Sequence, residues 1–117
     1  MARTSVEKLL LSGSTNGLAI LVAATVTPGD LIHTAHATAF DEIVIYAYNH
    51  HTATVGLTLE WGGTGTGQLI KRTITFQTGA SLEIPGFVLT GSLVVRAFAS
   101  VASKVSIYGH VLRATTQ

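Results

Sequence analysis

Five histidines, six carboxylate residues and seven basic residues are the side chains with which this chain could bind or transform a ligand. His33 and His36 stand three apart. On a strand that spacing points them to opposite faces, so they cannot chelate one ion without a kink. His50 and His51 splay in the same way unless a turn folds them together. A grouping of His33, His50 and His110 in space is the remaining metal reading; exposed or hydrogen-bonded histidines are the expectation. Asp41 and Glu42 are adjacent at a strand start and therefore face opposite ways. General acid–base chemistry needs a converging carboxylate pair with divergent pKa values, so a solvated strand edge is expected there and for Glu60. No nucleophile-elbow pattern is present, and a chain with no cysteine has no thiolate nucleophile, thiolate metal site or disulfide. No catalytic, cofactor-binding or metal residue is assigned, and the chain is not expected to be an enzyme.

The glycine-rich stretch Gly62-Gly63-Thr64-Gly65-Thr66-Gly67 invites a phosphate-cradle reading. A P-loop continues into Lys, Ser or Thr and then a helix, and a dinucleotide fingerprint also needs a helix N-terminus. Here Gln68-Leu69-Ile70 follows as a strand, so a mobile hairpin loop is expected. Trp61, Tyr46, Tyr48, Tyr108 and Phe98 are the candidates for a carbohydrate-stacking platform, with Tyr46 and Tyr48 sharing one strand face as an exposed aromatic pair. Trp61 falls in register with Val55, Leu57 and Leu59 and is expected in the core. Arg96 lies between Val94 and Phe98 on its own face, where a charge must be paired or reach water; Glu42, Glu60 and Glu83 are its candidate partners.

The elements that must position these groups are strands. Val55, Leu57, Leu59 and Trp61 alternate with Thr54, Gly56, Thr58 and Glu60, the period of a strand with one buried face. Residues 43–48 are apolar on both faces, as expected of a central strand or one whose outer face meets another subunit. Leu93, Val95, Ala97 and Ala99 repeat the alternation, as do Val105, Ile107, Gly109 and Val111. Turn residues separate the runs: 12–17, a Thr27-Pro28-Gly29-Asp30 type II turn, a hairpin at 49–52, and Pro85-Gly86 as a bend within 81–89. Strands are expected at 6–12, 18–25, 31–37, 42–49, 54–61, 68–77, 81–89, 92–100 and 104–113. No segment has a capped 3.6-residue period. Eight or nine short strands in one domain spanning 1–117 predict an all-β, antiparallel, jelly-roll-like sandwich, with an immunoglobulin-like sandwich as the competitor. The polar ends, 1–5 and 114–117, are expected as arms.

Composition limits the partners. Charged residues make up 11% of the chain and hydrophobic residues 47%, against roughly 25% charged in an ordinary soluble domain. Charge is depleted in the centres of interfaces, so part of this surface is expected to be covered by other chains. A net charge of +1 with scattered basic residues gives no footprint for nucleic acid. The longest apolar run, Leu18 to Val26, falls far short of the ~20 residues that span a bilayer, so no membrane partner is expected. Leu9-Leu10-Leu11 is cut off at once by Ser12-Gly13-Ser14, so no signal peptide is expected and synthesis is placed in the cytoplasm.

The order of several blocks carries a resemblance. Leu11-Ser12-Gly13-Ser14-Thr15-Asn16-Gly17, Val22-Ala23-Ala24-Thr25 with Thr27-Pro28-Gly29, and Ile32-His33-Thr34-Ala35 form the first part. Asp41 to Ala47 and Leu57 to Gly63 form the second. Ile84-Pro85-Gly86, Leu89 to Ala99 and Ile107-Tyr108-Gly109-His110-Val111 close it. Nearly the whole chain resembles the small β-rich virion proteins encoded among the structural genes of tailed bacteriophages. That resemblance implies a capsid decoration, or cement, protein without a cofactor. Its partners would be the major capsid protein and further copies of itself, as a homotrimer. A tail or head–tail connector component is the alternative, and a carbohydrate-binding module is the second alternative.

Overall fold

The computed structural model describes residues 4–76 and 79–116. Nine strands follow in order: β1 (Thr4–Leu10), β2 (Ile20–Val22), β3 (Asp30–Thr34), β4 (Phe40–Asn49), β5 (Val55–Trp61), β6 (Leu69–Ile74), β7 (Ser81–Leu89), β8 (Val94–Ala99) and β9 (Val105–Thr116). The only helical piece among the described residues is a 3-10 turn at Thr66–Gln68. All strand pairs are antiparallel and fall into two sheets. Sheet one has the order β1-β9-β4-β7, with β2 also pairing β9; sheet two has the order β3-β8-β5-β6. The architecture is therefore the expected all-β sandwich.

Period-2 alternation builds its core. Ile43, Ile45 and Ala47 of β4 and Val105, Ile107 and Val111 of β9 turn inward from sheet one. Val55, Leu57 and Leu59 of β5 and Val95, Ala97 and Ala99 of β8 meet them from sheet two. Each of these side chains is essentially fully buried, and burying one of the larger ones contributes about 1.5–3 kcal/mol. Trp61 lies at the margin of this cluster, half-buried, its ring edge-on to Phe87 of the opposite sheet at 6.0 Å.

Several local expectations change. Asn49 to Thr52 is not a hairpin, because β4 and β5 belong to different sheets. Buried Asn49 organises this crossing. Its amide donates to the carbonyls of Ala53 and Ile74, each at 2.9 Å, and its Oδ1 accepts the His51 N–H. The turn at Thr27–Asp30 is not type II, which needs a positive φ at Gly29 that this residue lacks. Gly29 is required for space instead: a Cβ there would lie 2.3 Å from the Ala97 carbonyl oxygen. Pro85-Gly86 does bend β7. The register against β4 shifts between Ile43 and Val44, and Gly86 takes φ 125°. The polar ends are not free arms where they are described: Thr4 pairs with Thr116 and Ser5 with Thr115 in the β1–β9 ladder. Residues 1–3 and 117 lie outside the described residues, as does residue 77 at the end of the expected sixth strand.

Gly109 sits mid-strand in β9, opposite Ile45. A Cβ at this position would approach the Val44 carbonyl oxygen to 2.0 Å. The obstacle is backbone, so the two central strands must separate to admit any side chain. Gly109→Ala is therefore expected to destabilise the fold by about 1–3 kcal/mol, read as a lower urea midpoint with an unchanged slope.

Candidate functional site

Side chains with chemical potential gather in two places, and the first is at one end of the sandwich. Asp41, fully buried, is paired in register with Arg113 across β4 and β9. Arg113 Nε donates to Asp41 Oδ1 at 2.7 Å and Nη2 donates to Oδ2 at 3.0 Å, a bidentate fork. His33 of β3 lies against the same carboxylate, Nε2 to Oδ2 at 2.7 Å. The His36 backbone N–H adds a longer bond of 3.3 Å. The Ser12 backbone N–H donates to His33 Nδ1 at 2.9 Å, which fixes the ring proton on Nε2, facing Asp41. Arg113, His33 and the His36 amide thus converge on one carboxylate, and Ser12 braces the His33 ring from behind.

Burial alone would raise the pKa of Asp41. The hydrogen bonds of Arg113 and His33, with the charge of Arg113, outweigh it and hold the group at about 2, against an ordinary 3.8. The bond to Asp41 in turn raises Arg113, against its partial burial.

Ser12, His33 and Asp41 are the residue types of a catalytic triad, but their arrangement does not form one. Ser12 offers the ring its amide, while its hydroxyl accepts the Thr34 N–H at 2.7 Å. Both His33 nitrogens are engaged, and the ring is sealed from solvent. A general base needs a free lone pair within reach of a nucleophile, and this imidazole has none.

The second cluster lies on the outer face of sheet two. Glu60 is 1% exposed, not the solvated residue its strand position suggests. The Thr27–Gly29 turn covers it: Glu60 Oε1 accepts the Gly29 N–H at 2.6 Å, and Oε2 accepts the Thr27 hydroxyl. Arg96, its cross-strand neighbour on β8, donates to the Gly29 carbonyl at 3.3 Å. Arg96 and Glu60 therefore hold the same turn instead of forming the expected ion pair. Of the other two expected partners, Glu83 bonds Arg72 at 2.9 Å, joining the edges of the two sheets, and Glu42 faces solvent on sheet one. Beside Glu60, Pro28, Gly62, Leu93 and Arg96 line a recess of about 220 Å³. That is below the ~300–1,000 Å³ of ordinary small-molecule pockets.

The histidines do not converge. His36 Nδ1 accepts the Thr38 and Ala39 N–H groups. His50 bonds the Ser106 hydroxyl at 2.7 Å and packs on Tyr48. His110 sits opposite Val44 on the outer face of β9. No group of three potential ligands is close enough to hold a metal among the described residues. The 62–67 stretch joins the paired strands β5 and β6 through the 3-10 turn and presents no helix N-terminus of useful length.

A broad apolar surface remains, and the sequence points to it only in part. The outer face of sheet one carries Val6 and Leu10 from β1, Phe40, Val44, Tyr46 and Tyr48 from β4, and Leu82 and Val88 from β7. Tyr108, Leu112 and Ala114 of β9 run down its centre. Val6 is 63% exposed, Phe40 57% and Val88 55%. Val6, Phe40, Val88, Leu112 and Ala114, with Glu42, line a groove of about 280 Å³. The expected pairing of Tyr46 and Tyr48 on one face holds, and Tyr108 joins them opposite Tyr46.

Compared with protein-family models and with curated proteins, the chain matches none.

Asp41→Asn is expected to cost about 3 kcal/mol, because it leaves the Arg113 guanidinium without its counter-charge and weakens the bond to His33. The pH dependence follows from the lowered pKa. The carboxylate contributes its stability fully above an unfolded-state value near 3.8 and loses it as pH falls toward about 2. Urea titrations of the parent should lose about 2 kcal/mol across that window; the Asp41→Asn variant should lose measurably less there.

Proposed function

We propose that this protein is a non-enzymatic structural component of a tailed-bacteriophage virion, a decoration or cement protein that binds the outer shell and stabilises contacts between capsomers. The observation that carries this reading is the outer face of sheet one. A continuous apolar, aromatic surface of this extent on a chain with 11% charged residues suits a protein that works covered by neighbours. The polar residues point the same way. Asp41, His33, Arg113 and Glu60 are engaged in holding segments together, which leaves little to act on a substrate.

Strand order adds support. Sheets ordered β1-β9-β4-β7 and β3-β8-β5-β6, with most consecutive strands in opposite sheets, favour the jelly-roll reading. That architecture serves viral capsid and lectin domains alike, so it is an argument by analogy. The partners in this reading are the major capsid protein and copies of the chain itself, and its place is the virion.

Cryo-electron microscopy of the particle tests the assignment. Density for this chain is expected on the outer shell at capsomer junctions, and adding the purified protein to shells that lack it should raise their melting temperature. Density confined to the tail or neck would replace the cement role with that of a connector. Absence from the particle, with glycan binding lost on substituting Tyr46 and Tyr48 by Ala, would make the protein a carbohydrate-binding module.

A further inference from the structure

The outer face of sheet one is arranged in rows, and the rows contain a symmetry. Strand β9 lies between β1 and β4. Opposite Leu112 stand Lys8 on one side and Glu42 on the other. Opposite Ala114 stand Val6 and Phe40, and opposite His110 stand Leu10 and Val44. Lys8 and Glu42 are the two oppositely charged residues of an otherwise largely apolar surface. Both are exposed, and neither has an ion-pair partner among the described residues. They flank Leu112 at one strand spacing each, about 4.8 Å.

We propose that this face packs against the same face of a second copy, about a two-fold axis parallel to β9 and passing over Leu112. Such an axis exchanges left and right across β9 while keeping each row level. Lys8 of each copy then lies over Glu42 of the other, twice per dimer. Phe40 of each lies over Val6 and the small Ala114 of the other, where the groove gives it room. Leu112, His110 and Tyr108 run along the axis and meet their own counterparts. An isologous contact of this kind needs a self-complementary patch, and the row Lys8–Leu112–Glu42 is one.

Along β9, three strands overlap: β1, β9 and β4 over residues 110–114, with β2 taking the place of β1 over residues 105–107. The shared patch is about 14 Å by 30 Å, which gives roughly 400–500 Å² per copy and close to 1,000 Å² in total. That sits at the lower limit for a specific interface, so a reversible dimer with a dissociation constant in the micromolar range is expected. In the virion reading the second copy is the neighbour that covers this face, and sheet two and the strand edges meet the shell. The dimer does not rest on the virion reading, because the isolated protein tests it.

Sedimentation equilibrium of the purified chain at low ionic strength is the experiment. The parent should dimerise reversibly. Lys8→Glu and Glu42→Lys should each weaken self-association about tenfold, by placing like charges opposite one another twice. Mixing the two single variants should restore parent-like dimers, because both contacts in the mixed pair are attractive. The double variant K8E/E42K should also dimerise. Leu112→Arg should be monomeric with an unchanged circular dichroism spectrum. A parent that stays monomeric at millimolar concentration would overturn the proposal. So would a trimer, or a dimer insensitive to both charge reversals and to Leu112→Arg. Charge variants that fail to recover on mixing would place any dimer on another axis and overturn this one.

Discussion

A carboxylate with no surface exposed has to be compensated where it lies, and the compensation of Asp41 ties this sandwich together. Arg113 reaches it from β9, His33 from β3 in the opposite sheet, and Ser12 fixes the His33 ring from the segment after β1. Without Arg113 the buried charge would be unmatched, at a cost of several kcal/mol. Without His33 the carboxylate would keep its counter-charge but lose a hydrogen-bond donor and its tie to the opposite sheet. At the other end of β4, Asn49 does for the backbone what Asp41 does for charge, closing the crossing from one sheet to the other. The apolar layer between these two ends supplies most of the stabilising burial. The polar ends determine which strands face each other.

This division of labour bears on function. A buried, ionised, fully bonded carboxylate is a poor acid, base or ligand, because any use would first break its native bonds. Glu60 is likewise bonded on both oxygens, under the Thr27–Gly29 turn. The outer face of sheet one offers a partner shape and apolar area, with the exposed charges of Lys8 and Glu42 among it. The proposed assembly accounts for the low surface charge: a face covered by a neighbour gains little from charges that find no partner across the contact.

Much of the fold was legible because strands with one buried face repeat every two residues. Val55, Leu57 and Leu59, or Val105, Ile107 and Val111, indicate their own orientation. The same parity places Asp41 and Asn49 with Ile43, Ile45 and Ala47, and Arg113 with Val111. The inward direction of the lock is thus present in the sequence. Its chemistry is not, because the partner of Asp41 is 72 residues away and a carboxylate at a strand start is ordinarily solvated. Glu60 is harder still. Parity correctly puts it on the outer face of its sheet, and only a turn 31 residues upstream makes that face an interior. The crossing at 49–52 resembles a hairpin locally because short polar connections serve both purposes, and sheet membership is a property of the whole chain. The outer face of sheet one was half visible in the doubly apolar run 43–48; its extension onto β1 and β9 needed the pairing register.

Register also couples the interior to the surface. Because side chains alternate, the rungs that place Asp41 opposite Arg113 on the inside place Glu42 opposite Leu112, and Leu112 opposite Lys8, on the outside. A slip of one residue between β4 and β9 would separate Asp41 from Arg113 and exchange the faces of every side chain on the shifted strand. The buried ion pair makes that slip costly, more so than apolar side chains alone, since one aliphatic residue can substitute for its neighbour in a core and a guanidinium cannot. The charged row on the outer face is thereby held in place by a bond on the inner one. Specificity of this kind is the best-attested use of a buried ionic group, and here it fixes the pattern that a second surface would have to match.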